Sequence, residues 1–100
     1  MKITPRQQGI IEALAKKLQE AEGSLSLLAA KGIIHYAIES ACGKWNIELS
    51  EAQEFPTEKK ITFMGDILAN LRERLARFQV PEDRAREIAE NLMAEYKNVM

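Results

Sequence analysis

The sequence predicts an all-α fold, a compact bundle of about four helices with a C-terminal antiparallel helical hairpin. Three observations carry the prediction. Apolar residues recur at spacings of three and four in four separate segments, which is the period of one helix face. The breaks between segments fall at Gly23, Gly43, Phe55-Pro56 and Val80-Pro81, residues that stop helices or open them. Only Trp45, Ile47 and Leu49 alternate with polar residues as a strand would, and a single short strand has nothing to pair with.

The first helix opens at Thr4-Pro5. Threonine caps a helix N-terminus, and proline at the first helical position gives up only an N–H that would be orphaned anyway. Ile11, Leu14, Leu18 and Ala21 share its apolar face. Gly23 offers a left-handed C-cap, and Ser24 or Ser26 caps the next helix. That second helix spans about Ser26 to Cys42. Leu27, Ala30, Ile34, Ile38, Ala41 and Trp45 form one stripe, widened by Leu28, Ile33, Tyr36 and Ala37. A helix apolar over so much of its circumference is expected to be central. Gly32 inside it reads as a point of close helix approach, with a kink as the other option, and Gly43 as the stop.

Residues 44–57 carry a weaker pattern, read as a loop or irregular helical turn. Ser50 and Gln53 are spaced as a capping box for a short helix ended by Phe55-Pro56. The third main helix has the clearest periodicity: Ile61, Met64, Leu68, Leu71, Leu75 and Phe78 form a heptad-like seam, broadened by Ile67. The fourth opens at Pro81 with Glu82 and Asp83 in the first turn, where the helix dipole favours negative charge. Ala85, Ile88, Leu92, Tyr96 and Val99 form its apolar face. The short connection between the last two makes them an antiparallel hairpin.

Composition narrows the function. One hundred residues suit one helical domain, and 46% apolar content excludes a disordered chain. Fourteen basic against 15 acidic residues exclude a module driven by bulk charge toward nucleic acid. The single cysteine, Cys42, cannot form an internal disulfide, which points to a reducing, cytoplasmic location. The N-terminus turns polar at once, so no signal peptide is expected. The most apolar stretch, 25–41, is interrupted by Lys31, Gly32, His35, Glu39 and Ser40, too polar for a membrane span.

Chemistry-bearing groups are few. His35, Glu39 and Cys42 share a helix face at i, i+4 and i+7. No further His or Cys exists to complete a zinc set, so His35 is read as the edge of the apolar face and Cys42 as a small core residue. The two lie about 10 Å apart along the axis, too far for an activated nucleophile. The glycines are scattered and build no phosphate loop. No catalytic residue, cofactor or metal is expected, and the chain is read as a non-enzyme.

Two features have a shape worth following. Arg72, Arg74, Arg77, Arg84 and Arg86 fall within fifteen residues around the hairpin turn, which is locally +2 against −3 elsewhere. They read either as an anion-contacting tip or, as favoured here, as internal pairs such as Glu73 with Arg77 and Arg86 with Glu90. The seam Ile61, Met64, Leu68, Leu71, Leu75, Phe78 reads as the core face under the last helix, or as a dimer seam that a second chain completes. Trp45 and Phe55 are candidate partner anchors if exposed, since aromatics and arginines dominate binding hot spots; core burial is their other reading.

The stretch Phe63-Met64-Gly65-Asp66-Ile67-Leu68-Ala69-Asn70-Leu71, with Leu75, Val80-Pro81, Ala85, Ile88-Ala89 and Leu92, resembles the dimerisation hairpin of Mor-type transcription activators of Mu-like phages. The resemblance covers residues 61–95. It implies pairing through the hairpin and a phage or mobile-element setting. The glycine-rich strand and basic DNA-binding domain that follow in that family have no counterpart here, so activator function is not implied. The expected function is a small interaction or regulatory protein acting by helix-mediated contact with a protein partner of unknown identity, with a homodimer kept open. Two other readings stand beside it. One is a nucleic-acid-associated regulator using the arginine tip; the other is a small-ligand-binding bundle with a pocket near His35 and Tyr36.

Overall fold

The computed structural model describes residues 2–99, with side chains described to Lys97. Five helices occur in order: α1 (Pro5–Ala21), α2 (Leu27–Trp45), α3 (Leu49–Ala52), α4 (Thr57–Arg77) and α5 (Glu82–Val99). Among the described residues there is no strand. The four long helices pack in the ring α1–α2–α4–α5, with α5 returning to α1. Contacts between α2 and α4 fix their antiparallel sense: Trp45 meets Asp66, Ala37 meets Asn70 and Tyr36 meets Arg74. The result is an up-down-up-down bundle, with α3 inside the connection from α2 to α4. The radius of gyration, 12.6 Å, is that of a close-packed chain of this length.

Thr4 caps α1 as expected. Its hydroxyl accepts from the Gln7 N–H at 3.2 Å, and Gln7 Oε1 accepts from the Thr4 N–H at 2.9 Å. Ile11, Leu14, Ala15 and Leu18 are buried, but Ala21 is exposed. The helical repeat carries the stripe from Leu18 to position 22, so Glu22 is the residue that turns inward. Gly23 takes no left-handed conformation. The end of α1 is closed from outside instead: the Arg84 guanidinium of α5 donates to the Ala21 carbonyl at 2.9 Å and pairs with Glu22 at 3.4 Å. Ser26, not Ser24, caps α2, its hydroxyl accepting from the Ala29 N–H at 3.0 Å.

Helix α2 is the central one, with Ala30, Ile33, Ile34, Ala37, Ile38, Ala41 and Cys42 buried. It runs through Gly43 to Trp45, because Asn46 (φ 55°, ψ 48°) provides the left-handed cap, a conformation asparagine tolerates. Gly32 is exposed, and a methyl added there would touch nothing within 4 Å; it marks no close approach. Helix α3 starts two residues before the expected Ser50/Gln53 box. Glu51 reaches back to the Glu48 N–H at 2.7 Å, and this register buries both Leu49 and Ala52.

Helix α4 corrects the heptad seam. Its buried line is Phe63, Ile67, Leu71 and Leu75, a strict four-residue ridge of the kind that packs into a neighbouring helix groove. Of the expected seam only Leu71 and Leu75 lie inside. Met64 and Leu68 are half-buried, while Ile61 (60% exposed) and Phe78 (45% exposed) stand at the two ends. Leu71 and Leu75 are thus taken up by the core, while the rest of the line is half-buried or exposed. After Gln79 in a left-handed conformation (φ 65°), Val80 turns inward and α5 begins at Glu82. Ala85, Ile88, Leu92 and Tyr96 are buried as expected, joined by Ala89 and Met93; the Val99 side chain lies outside the described residues.

Candidate functional site

Trp45 and Phe55 are half-buried and engaged with their own chain. Trp45 ends α2, Phe55 follows α3, and Phe63 rises from α4 beneath them. Ring centroids lie 5.6 Å apart for Trp45–Phe55 and Trp45–Phe63, and 6.1 Å for Phe55–Phe63, within the favourable range for aromatic pairs. The Lys59 ammonium sits 4.5 Å from the Phe55 centroid. The indole N–H donates to Asp66 Oδ2 at 2.6 Å, and Lys44 pairs with Asp66 Oδ1 at 3.1 Å. The corner therefore ties the α2–α4 connection to α4.

The Trp45 hydrogen bond, assisted by Lys44, holds the Asp66 carboxyl below the usual carboxylate range. A carboxylate with a depressed folded value adds stability above its unfolded value, near 4, and loses it as pH falls through the folded value. Asp66→Asn keeps an acceptor for the indole but cannot titrate. The variant is expected to be slightly less stable at neutral pH and to lose less stability than the parent below about pH 4. Urea titrations across that range would show it; parallel acid limbs in the two proteins would contradict it.

The five hairpin arginines do not converge. Arg72 pairs across the hairpin with Glu82 at 3.5 Å, and Arg77 with Glu73 at 3.1 Å. Arg84 closes α1, and Arg86 is exposed. Arg74 crosses to α2, where its guanidinium carbon lies 3.5 Å from the centroid of the Tyr36 ring. Three of the five are thus paired with carboxylates of this chain.

The chemistry-bearing groups of α2 are equally contained. His35 Nδ1 lies 3.5 Å from Glu39 Oε2. Cys42 is buried, and burial pushes its thiol up to about 11, so it is protonated at neutral pH and a poor nucleophile. Among the described residues no group of three or more His, Cys, Asp or Glu is placed to hold a metal. The void lined by Gln7, Ile11, Ile38, Gln53 and Tyr96 holds about 10 Å³, room for one water. No helix among the described residues is long and apolar enough to cross a membrane.

What the fold does present is an apolar groove between the N-terminal half of α2 and the end of α4. It holds about 270 Å³ and is lined by Ala29, Gly32, Ile33, Tyr36, Arg74 and Phe78. Leu28, one turn before Gly32, is 82% exposed. Nine residues separate Leu28 from the buried Ala37, which places them half a turn apart around the helix. The groove lies beside Tyr36, where the alternative reading as a ligand-binding bundle places a pocket, and it is open at the surface. The residue pattern places Leu28, Gly32 and Tyr36 in the interior or at its edge, whereas Leu28 and Gly32 are exposed and Tyr36 is half-buried. The signal for them was present: a helix apolar on nearly every side must show one of those sides to solvent unless something covers it. Compared with known protein families, curated proteins and solved structures, the chain matches none.

Proposed function

We propose that this is a small, non-enzymatic, cytoplasmic interaction protein that acts by presenting a helical surface to a protein partner. The reading rests on one observation: the exposed Phe78 lines a groove at one end of the bundle, and Leu28, one helical turn before the groove's Gly32, is also exposed. Single exposed apolar residues are ordinary, whereas a cluster beside a concave surface marks a contact site. A phage or mobile-element setting, implied by the resemblance of residues 61–95, belongs to the same proposal.

The test is site-specific photo-crosslinking in the native host, with the photoreactive residue at position 28 and, as control, at position 20 on the exposed side of α1. A discrete protein adduct is expected from position 28 alone, abolished by Phe78→Glu in the same chain. Equal adducts from both positions, or none from position 28, would refute the reading. Leu28→Glu by itself is expected to leave stability within about 0.5 kcal/mol, because the side chain is already in solvent.

A further inference from the structure

We infer that the α2–α4 groove receives a partner segment carrying an apolar side chain next to a carboxylate, and that Arg74 takes the carboxylate. This rests on the docking reading above and names the chemistry of its occupant. Arg72, Arg77 and Arg84 each have a carboxylate of this chain within 4 Å. Arg74 has none among the described residues. Its Nε atom is buried without a hydrogen-bond partner. Arg86 also lacks an ion pair among the described residues but stands in open solvent, where water serves it.

A buried donor left unmatched is costly and calls for an explanation in a folded protein. Stacking on Tyr36 satisfies the face of the guanidinium but not its N–H edge. Nε itself is closed to an incoming group, so a carboxylate is met by the terminal N–H groups of the guanidinium, whose side chain lines the groove. The rest of the lining, Ala29, Gly32, Ile33 and Phe78, offers nothing ionic. It suits an apolar side chain. An acid one helical turn from a Leu, Ile or Phe reaches both features together.

The experiment is selection of a displayed library of random 16-residue peptides on the immobilised full chain, followed by affinity measurement with synthesised winners. Enriched peptides are expected to carry Asp or Glu three or four positions from Leu, Ile or Phe. Binding should weaken at least ten-fold with Arg74→Met, less with Arg74→Lys, and under two-fold with Arg86→Met. Changing the peptide acid to its amide should cost as much as Arg74→Met does. Circular dichroism confirms that each variant is folded. Winners that need Leu28 and Phe78 but ignore Arg74→Met would overturn the acid-binding inference and leave the docking surface standing. Absence of enrichment, or winners indifferent to all of these positions, would overturn both. A concentration-dependent dimer in sedimentation, lost with Leu28→Glu, would assign the groove to a second copy and overturn the inference as well.

Discussion

Replacing Phe63 by alanine is expected to destabilise the protein by about 3–5 kcal/mol, the cost of removing a fully buried aromatic side chain. For a domain of this length, that lowers the melting temperature by roughly 12–40 °C. Phe63 is 0% exposed and stands edge-on to both Trp45 and Phe55. Its loss opens a cavity in the core and removes two ring pairs at once. The link between α2 and α4 is anchored there, so local and global effects coincide. Trp45 is the single tryptophan, and its emission is expected to shift to the red in the variant before unfolding begins. Ile61→Ala, two residues away but 60% exposed, is the control, with an effect within about 0.5 kcal/mol. If Ile61→Ala cost more than Phe63→Ala, the four-residue ridge of α4 would be wrong and the heptad reading right.

That contrast shows where residue patterns were sufficient. Spacings of three and four, Thr4-Pro5 and Pro81 place the four long helices, because those features are local and act through the backbone. The facing of α4 is not local. Ile61, Met64, Leu68, Leu71, Leu75 and Phe78 fit a helical stripe as well as Phe63, Ile67, Leu71 and Leu75 do. What decides between them is the room that Trp45 and Phe55 leave for a ring at position 63, and those residues arrive from another part of the chain. The same applies to Gly23. A glycine near a helix end suggests a left-handed cap, yet Arg84, 61 residues onward, supplies the closing hydrogen bond. The arginine cluster was legible as a cluster but not as separate destinations. One member had to cross to Tyr36 before the groove acquired a charge. Leu28 was visible only as part of an unusually apolar helix; which side stays uncovered depends on where α1 and α4 dock.

Position 37 and position 32 of α2 are expected to respond in opposite directions. Ala37 is fully buried where α2 and α4 pack, and its carbonyl accepts from the Asn70 side chain at 3.0 Å. Leucine there adds volume to a filled interface and pushes α4 outward. The expected cost is about 1–3 kcal/mol, read as a lower urea midpoint, with loss of the Asn70 hydrogen bond visible in the exchange of its amide protons. Gly32 lies five residues earlier on the exposed side, where a methyl meets nothing within 4 Å. Gly32→Ala is expected to stabilise the fold by about 0.5–1 kcal/mol through reduced chain entropy and better helix propensity. A loss of stability in Gly32→Ala would instead restore close approach at that glycine. The same methyl also enters the groove beside Tyr36 and Phe78. If an apolar side chain seats there, Gly32→Ala raises the melting temperature while weakening the selected peptides, whereas Ala37→Leu lowers the melting temperature with no methyl added to the groove. A residue that improves folding and impairs binding when changed is held by contact rather than by the core, and this pair of variants separates the two pressures on one helix.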